Sequence, residues 1–263
     1  MLDGKWTIDK LKEFVTGVAH DLDGDGKMTP ADRYGWGSLD LSRGALALQY
    51  GMGQFTTKFD ENGDPQLIIN SDLMATVVDK VIGLVTSGEV YKITNKINEV
   101  TVFKEGRMLF CTAIFMQTDL NMRDMEDEYG VLPQPKLDES QEKYYTIINP
   151  LCYMYSIPIT VKDQDRASIL FEAYQYEGYN YVYPGFYELA LKTKYSHDDV
   201  SAKVYDLIMN GRVCDFGFVF GSTGIRDTIS TLAWKGSTDF ASIYASMEAA
   251  TKTEYAEIMK AYQ

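Results

Sequence analysis

Residues 21–32 read Asp-Leu-Asp-Gly-Asp-Gly-Lys-Met-Thr-Pro-Ala-Asp, and no other stretch constrains the chain as tightly. A hard cation such as calcium takes six to eight oxygens, and a twelve-residue loop supplies them in fixed order. Asp21, Asp23 and Asp25 stand at positions 1, 3 and 5, and Gly26 at position 6 permits the sharp turn. Lys27 at position 7 offers its backbone carbonyl, and Met28 at position 8 is apolar and can pack inward. Thr29 at position 9 offers a hydroxyl, and Asp32 at position 12 closes the shell with a shorter arm than the usual Glu. The segment is expected to be a calcium site. Sensors of this kind carry a helix on each side and usually a paired loop. Here Pro30 and Gly35-Trp36-Gly37 leave no room for an exiting helix, so the ion is expected to be structural, tying a helix end to the next segment. Asp60-Glu61-Asn62-Gly63-Asp64-Pro65 is superficially similar but has Pro where Gly is needed, and reads as a hairpin turn.

The 263 residues allow one large domain or two lobes. With 38 acidic and 25 basic residues the formal net charge is −13, which argues against a phosphate-backbone or anionic-membrane partner. No apolar run approaches the roughly 18 to 20 residues that span a bilayer, and Met-Leu-Asp-Gly-Lys-Trp lacks the basic start and apolar stretch of a signal peptide. Cys111, Cys152 and Cys214 are far apart, without CxxC spacing, and the histidines are His20 and His197 alone. A zinc site is not expected, and the thiols read as small buried apolar groups.

Thr7 reads as the N-cap of a helix over 8–19, with Ile8, Leu11, Val15 and Val18 at helical spacing. Tyr34-Gly35-Trp36-Gly37 follows the loop as a strand or turn. Residues 58–70 read as a hairpin around Glu61–Pro65. Ser71 or Asp72 caps a helix that buries Leu73, Val77, Val78, Val81, Ile82 and Val85. A turn at Gly106 leads into a buried strand, and prolines keep Tyr129–Pro135 extended. Ile157-Pro158 and Val161 suggest another strand. Asp163 or Asp165 then caps a helix through Ile169, Leu170, Ala173 and Tyr174, and further helices fit 196–209 and 238–262.

Catalytic signatures are missing: GxSxG, HExxH, Walker and GxGxxG patterns do not occur, and no catalytic residue is assigned. Among 38 acids any chosen carboxylate pair is arbitrary, and Asp124, Glu126, Asp127 and Glu128 read as a solvated face. Tyrosine is abundant and crowds residues 174–187, which suits both packing and carbohydrate stacking.

Taken in order, these segments resemble a known family. Gly4-Lys5-Trp6-Thr7 before a helix, the 21–32 loop and Tyr34-Gly35 look like the middle of extracellular solute-binding proteins of carbohydrate-type ABC importers. Phe103-Lys104-Glu105-Gly106-Arg107-Met108 resembles their F-x-x-G-K-x-A-M segment, with Met108-Leu109-Phe110 in place of small residues. Tyr129-Gly130-Val131-Leu132-Pro133-Gln134-Pro135 is similar to the segment returning between lobes, and Ile157-Pro158 with the Asp165 helix to a strand and helix beyond it. Arg212-Val213-Cys214-Asp215-Phe216-Gly217 resembles a late motif of Gram-positive members.

The resemblance implies an α/β fold, periplasmic-binding-protein-like type II, holding the C-terminal lobe plus part of the N-terminal lobe. Residues 1–130 would be the first part of the C-terminal lobe with the calcium loop. Residues 131–195 would be the hinge crossing and a residual N-terminal-lobe segment, and residues 196–263 the remaining C-terminal-lobe helices. Such proteins carry a lipoprotein signal and much of their first lobe ahead of the Gly-Lys-Trp-Thr segment, so the chain is expected to be a fragment of an extracellular, cell-surface lipoprotein. The implied partners are a carbohydrate between the lobes and the membrane subunits of an ABC transporter, with no nucleic acid and no membrane span in this chain. By position Phe115, Met116 and Gln117 would face the ligand, with Trp36 and Trp234 as further candidates. Two other readings are a glycoside-active enzyme fragment and a calcium-dependent interaction module resembling a dockerin, which would need a second loop.

Overall fold

The computed structural model describes residues 1–38, 40–92, 99–148, 155–194 and 199–261. Thr7 caps helix α1 (Ile8–Val15) by accepting from the Lys10 amide, and Ile8, Leu11 and Val15 form its buried stripe. The helix is shorter than its periodicity suggests. Thr16 leaves the helical region and Gly17 follows at φ +80°, a left-handed conformation that glycine adopts without strain. Strand β1 (Tyr34–Ser38) is buried throughout. Helix α2 (Leu41–Gly51), capped by Asp40 accepting from the Arg43 amide, is an element the sequence reading does not assign.

The hairpin forms as strands β2 (Thr57–Phe59) and β3 (Pro65–Leu67), paired antiparallel with Thr57 opposite Leu67. Ser71 caps α3 (Asp72–Val85) and accepts from the Met74 amide, and the expected valines and Ile82 are buried while Leu73 is partly so. Helix α4 (Glu99–Lys104) and a turn at Gly106 lead into β4 (Met108–Thr112). β4 runs parallel to β1, with Trp36 opposite Phe110, and Val90 bridges Trp36 on the other side. A parallel pair of this kind needs covering on its faces, and α1, α2 and α4 supply it.

Short α5 (Met116–Leu120) follows β4. The crossing segment 129–135 is extended as expected, and Lys136 beyond it pairs with Trp6 and Ile8 through backbone hydrogen bonds of 3.1 and 2.8 Å. Strand β5 (Thr146–Ile147) comes next. The strand expected at 157–161 is not there: residues 157 and 158 belong to no strand, and the Val161 amide closes a turn onto the Pro158 carbonyl at 3.1 Å. Asp163 caps α6 (Gln164–Glu177) by accepting from the Arg166 amide, and Ile169, Leu170 and Tyr174 are exposed. Wider π-type turns continue through 178–182 and 185–194. There Tyr179, Tyr183 and Tyr187 stack in succession at 6.2 and 5.4 Å.

Helix α7 (Asp199–Asn210) covers most of the predicted 196–209, whose first residues lie outside the described ones, as does His197. β6 (Arg212–Val213) pairs parallel with β5. Helices α8 (Phe216–Val219), α9 (Thr228–Lys235) and α10 (Phe240–Lys260) complete the chain, the last slightly shorter than 238–262. The main core lies between α2, α3 and α9, where Leu48, Tyr50, Val77, Val81, Ile229 and Leu232 are buried together. The expectation of buried thiols is corrected for two cysteines: Cys214 is exposed and Cys111 half-buried, while Cys152 lies outside the described residues. Among the described residues no helix is long and apolar enough to cross a membrane.

Candidate functional site

Carboxylate oxygens of Asp21, Asp23 and Asp25 all lie within 4.8 Å of one another. Oxygens bound to one calcium sit roughly 2.4 Å from it, so no two are more than about 4.8 Å apart. The three side chains meet that limit and could hold one ion. Gly24 and Gly26 hold φ of +74° and +80°, which lets the backbone wrap inward. The Gly24 and Gly26 amides each donate to Asp21 at 2.7 Å. The Gly26 amide foremost keeps the Asp21 carboxyl below its ordinary range. Asp23 moves the other way. The Asp25 amide favours its charged form, but desolvation and the Asp25 and Asp21 charges together outweigh it. A bound cation would relieve that repulsion.

Asp32 does not join the three. It has no exposed surface, and its oxygens accept from the Leu22 amide at 2.8 Å and from the Thr29 amide and hydroxyl at 2.6 and 3.0 Å. Those amides, Leu22 first, depress its pKa. The loop's own backbone, not a deep core, encloses this carboxylate. Lys27 donates its amide to Asp25 at 2.7 Å and leaves its side chain in solvent. Met28 is 40% exposed, so the expected inward packing does not occur.

The sequence missed what grips the loop from outside. His20 and Arg33 exchange both backbone hydrogen bonds, at 3.1 and 3.0 Å, closing its neck. Glu89 accepts from the Gly17 and Ala19 amides at 2.6 and 2.7 Å at the entrance. At the exit, the Tyr34 hydroxyl donates to the Thr29 carbonyl at 2.8 Å, and the Arg107 guanidinium donates to the Pro30 and Asp32 carbonyls. Burial beside Asp32 pushes Tyr34 up to about 12, so it remains a donor at neutral pH.

The second feature is a cleft of about 530 Å³ between β4 and the segment 125–135. Trp6, Trp36, Phe103, Phe110 and Tyr129 supply its aromatic lining, and Asp127, Glu128, Gln134 and Thr112 its polar groups. The walls are fixed by specific bonds. The Trp6 indole donates to the Pro133 carbonyl at 2.9 Å, and the Trp36 indole to the Thr112 hydroxyl at 3.1 Å. Trp6 and Phe110 approach at 5.7 Å, and Tyr129 meets Phe103 edge-on at 6.2 Å.

Of the five residues proposed to face a ligand, the cleft takes only Trp36, which lines it while being 2% exposed. Phe115 packs edge-on against Tyr205 at 5.1 Å. Met116 is 54% exposed beyond the end of β4, and Gln117 is buried and accepts from the Asn121 side chain. Trp234 is exposed on α9 and donates to the Ser42 hydroxyl at 2.8 Å. The acids Asp127 and Glu128 are solvated as expected but also line the cleft. Trp6, Phe110 and Gln134 carried no separate signal, since only the fold brings residues 6, 110 and 134 together. No protein-family model, curated protein or solved structure matches the chain.

Proposed function

We propose that the chain is a sugar-binding protein, the substrate-binding component of a carbohydrate ABC importer, with a structural calcium loop at residues 21–32. The observation that carries this reading is the aromatic cleft between β4 and the crossing segment 129–135. Sugar rings present apolar C–H faces and hydroxyl edges, and a few convergent polar groups among aromatic walls suit both. On this reading residues 1–130 and 196–263 form one lobe of a periplasmic-binding-protein-like fold, and residues 131–195 belong to the other. Calcium would be held by Asp21, Asp23 and Asp25, with Thr29 and the Lys27 carbonyl beside them, and would neutralise the crowded carboxylates. Asp127 and Glu128 come from one wall of the cleft, whereas the two carboxylates of a glycosidase flank the scissile bond. Binding without turnover is therefore the better use of this geometry.

The test is a thermal-unfolding screen in saturating calcium against mono- and oligosaccharides, repeated with chelator. A ligand of the native state raises the midpoint by RT ln(1 + [L]/Kd), about 2.7 kcal/mol at a hundredfold excess over Kd. A saccharide that raises the midpoint supports the reading. A screen in which no saccharide does so, together with hydrolysis of a chromogenic glycoside, would replace it with an enzyme.

A further inference from the structure

Every formally charged side chain lining the cleft is acidic: Asp127 and Glu128. Neither makes an ion pair among the described residues. Arg123, four residues before Asp127, is exposed and is not part of the lining, and Lys104, Arg107 and Lys136 are engaged elsewhere. Lys104 pairs with Asp124 at 2.5 Å, and Arg107 with Glu105 and the loop carbonyls. The Lys136 ammonium donates to the Gln141 carbonyl at 2.8 Å and lies over the Tyr144 ring at 5.4 Å. Asp127 reaches back toward the Gly106 turn that precedes β4, where a Cβ on Gly106 would lie 3.8 Å from its carboxylate. A concave site with charge of one sign concentrates counter-ions, and the −13 net charge of the chain adds to that field. The same lining carries the rings of Trp6, Phe103, Phe110 and Tyr129, and an aromatic face attracts a cation within about 6 Å.

We infer that the cleft selects a ligand bearing a protonated amino group on a saturated ring, the amino-sugar class. The inference rests on the reading of the cleft as the ligand site. The ring lies against the aromatic wall, and the ammonium is shared between the Asp127 and Glu128 carboxylates at the mouth. Uronic acids and sugar phosphates are rejected, because the lining offers their anionic group no cation.

The test is a fluorescence titration, reading Trp6 and Trp36, at constant ionic strength and saturating calcium. The probes are glucosamine, N-acetylglucosamine, glucuronate and tetramethylammonium, each against the native chain and Asp127→Asn/Glu128→Gln, with folding of the variant checked by its melting temperature. Glucosamine is expected to bind about tenfold tighter than N-acetylglucosamine, a size typical of desolvated cation–aromatic and charge contacts. Tetramethylammonium is expected to give a weaker response and glucuronate none. In the double variant the ammonium preference should fall to within about twofold. A tighter neutral or anionic sugar overturns the inference while leaving the sugar-binding reading intact. So does an ammonium preference that survives in the variant. A response to glucosamine and tetramethylammonium with none to neutral sugars upholds the cation site and narrows the sugar-binding reading. Silence from both cations overturns the inference.

Discussion

Asp215 is the residue whose loss should cost the fold most for the fewest atoms removed. It is buried at the start of α8, and its carboxylate accepts from the Thr56 amide at 2.5 Å, the Thr57 amide at 3.2 Å and the Thr57 hydroxyl at 2.5 Å. The Gly217 amide at 2.8 Å and the Tyr50 hydroxyl at 3.0 Å complete the set. The arrangement joins the hairpin, α2 and α8 through one anion. Truncation in Asp215→Ala strands these donors in the interior. Each unsatisfied buried group costs ~1–3 kcal/mol, and relaxation prevents full addition. The net expectation is about 3–5 kcal/mol, the range for removing one partner from a buried charge network. For a domain of this size that lowers Tm by roughly 6–20 °C. Amide hydrogen exchange should accelerate selectively at Thr56, Thr57 and Gly217. Thr57→Val, which removes one hydroxyl from the same network, should cost only about 1 kcal/mol. A Tm loss below about 3 °C in Asp215→Ala, or exchange that rises evenly across the chain, would refute the reasoning.

Three further outcomes are expected. Chelation should lower Tm and calcium restore it, and Asp21→Ala should abolish that difference, measured by calorimetry in matched buffers; a variant that still responds to calcium would place the ion elsewhere. Gly44→Ala puts a Cβ against the Ser38 hydroxyl and 2.7 Å from the Trp36 ring, so it should cost about 1–3 kcal/mol as overpacking and shift the Trp36 emission. Tyr244 is raised from 10.0 to about 12 by burial, helped by Glu248. Its stabilisation is complete below pH 10 and is lost as pH rises toward 12, so Tyr244→Phe should flatten the alkaline limb of a denaturation profile over that window.

Local signals were legible because they are short-range. The cap at Thr7, the cap at Ser71 and the hairpin turn around Gly63 each depend on a few neighbouring residues, and each forms. Tyr34-Gly35-Trp36-Gly37 read ambiguously as strand or turn because its glycines serve contacts far away in sequence. A Cβ on Gly35 would sit 2.5 Å from that of Val15, and one on Gly37 would sit 2.6 Å from the Met108 methyl. The helix read through Ile169, Leu170, Ala173 and Tyr174 forms, yet its apolar residues are exposed, since periodicity reports an apolar face without naming what covers it. The loop was the most readable part of the site because its candidate ligands fall within twelve residues. The cleft was the least readable, because its lining draws on residues 6 to 135.

Loop and cleft share a frame. β1 begins at Tyr34, two residues after the loop closes at Asp32, and pairs along its length with β4, the strand that lines the cleft. Arg107, immediately before β4, holds the Pro30 and Asp32 carbonyls, and its own carbonyl accepts from the Tyr34 amide at 2.8 Å. The end of the loop and the start of the cleft wall are thus bonded in both directions. On the proposed calcium reading, losing the cation would leave the Asp21–Asp25 repulsion to be relieved by opening the loop, and opening would release Arg107 and the first pair of the β1–β4 ladder. On the proposed reading a sugar against Phe110 would bind only while that ladder is formed, so calcium and sugar would stabilise each other to the extent that loop opening frays it. The reciprocity is thermodynamic: whatever factor calcium adds to ligand affinity, ligand adds to calcium affinity, and Arg107→Ala should reduce both factors together.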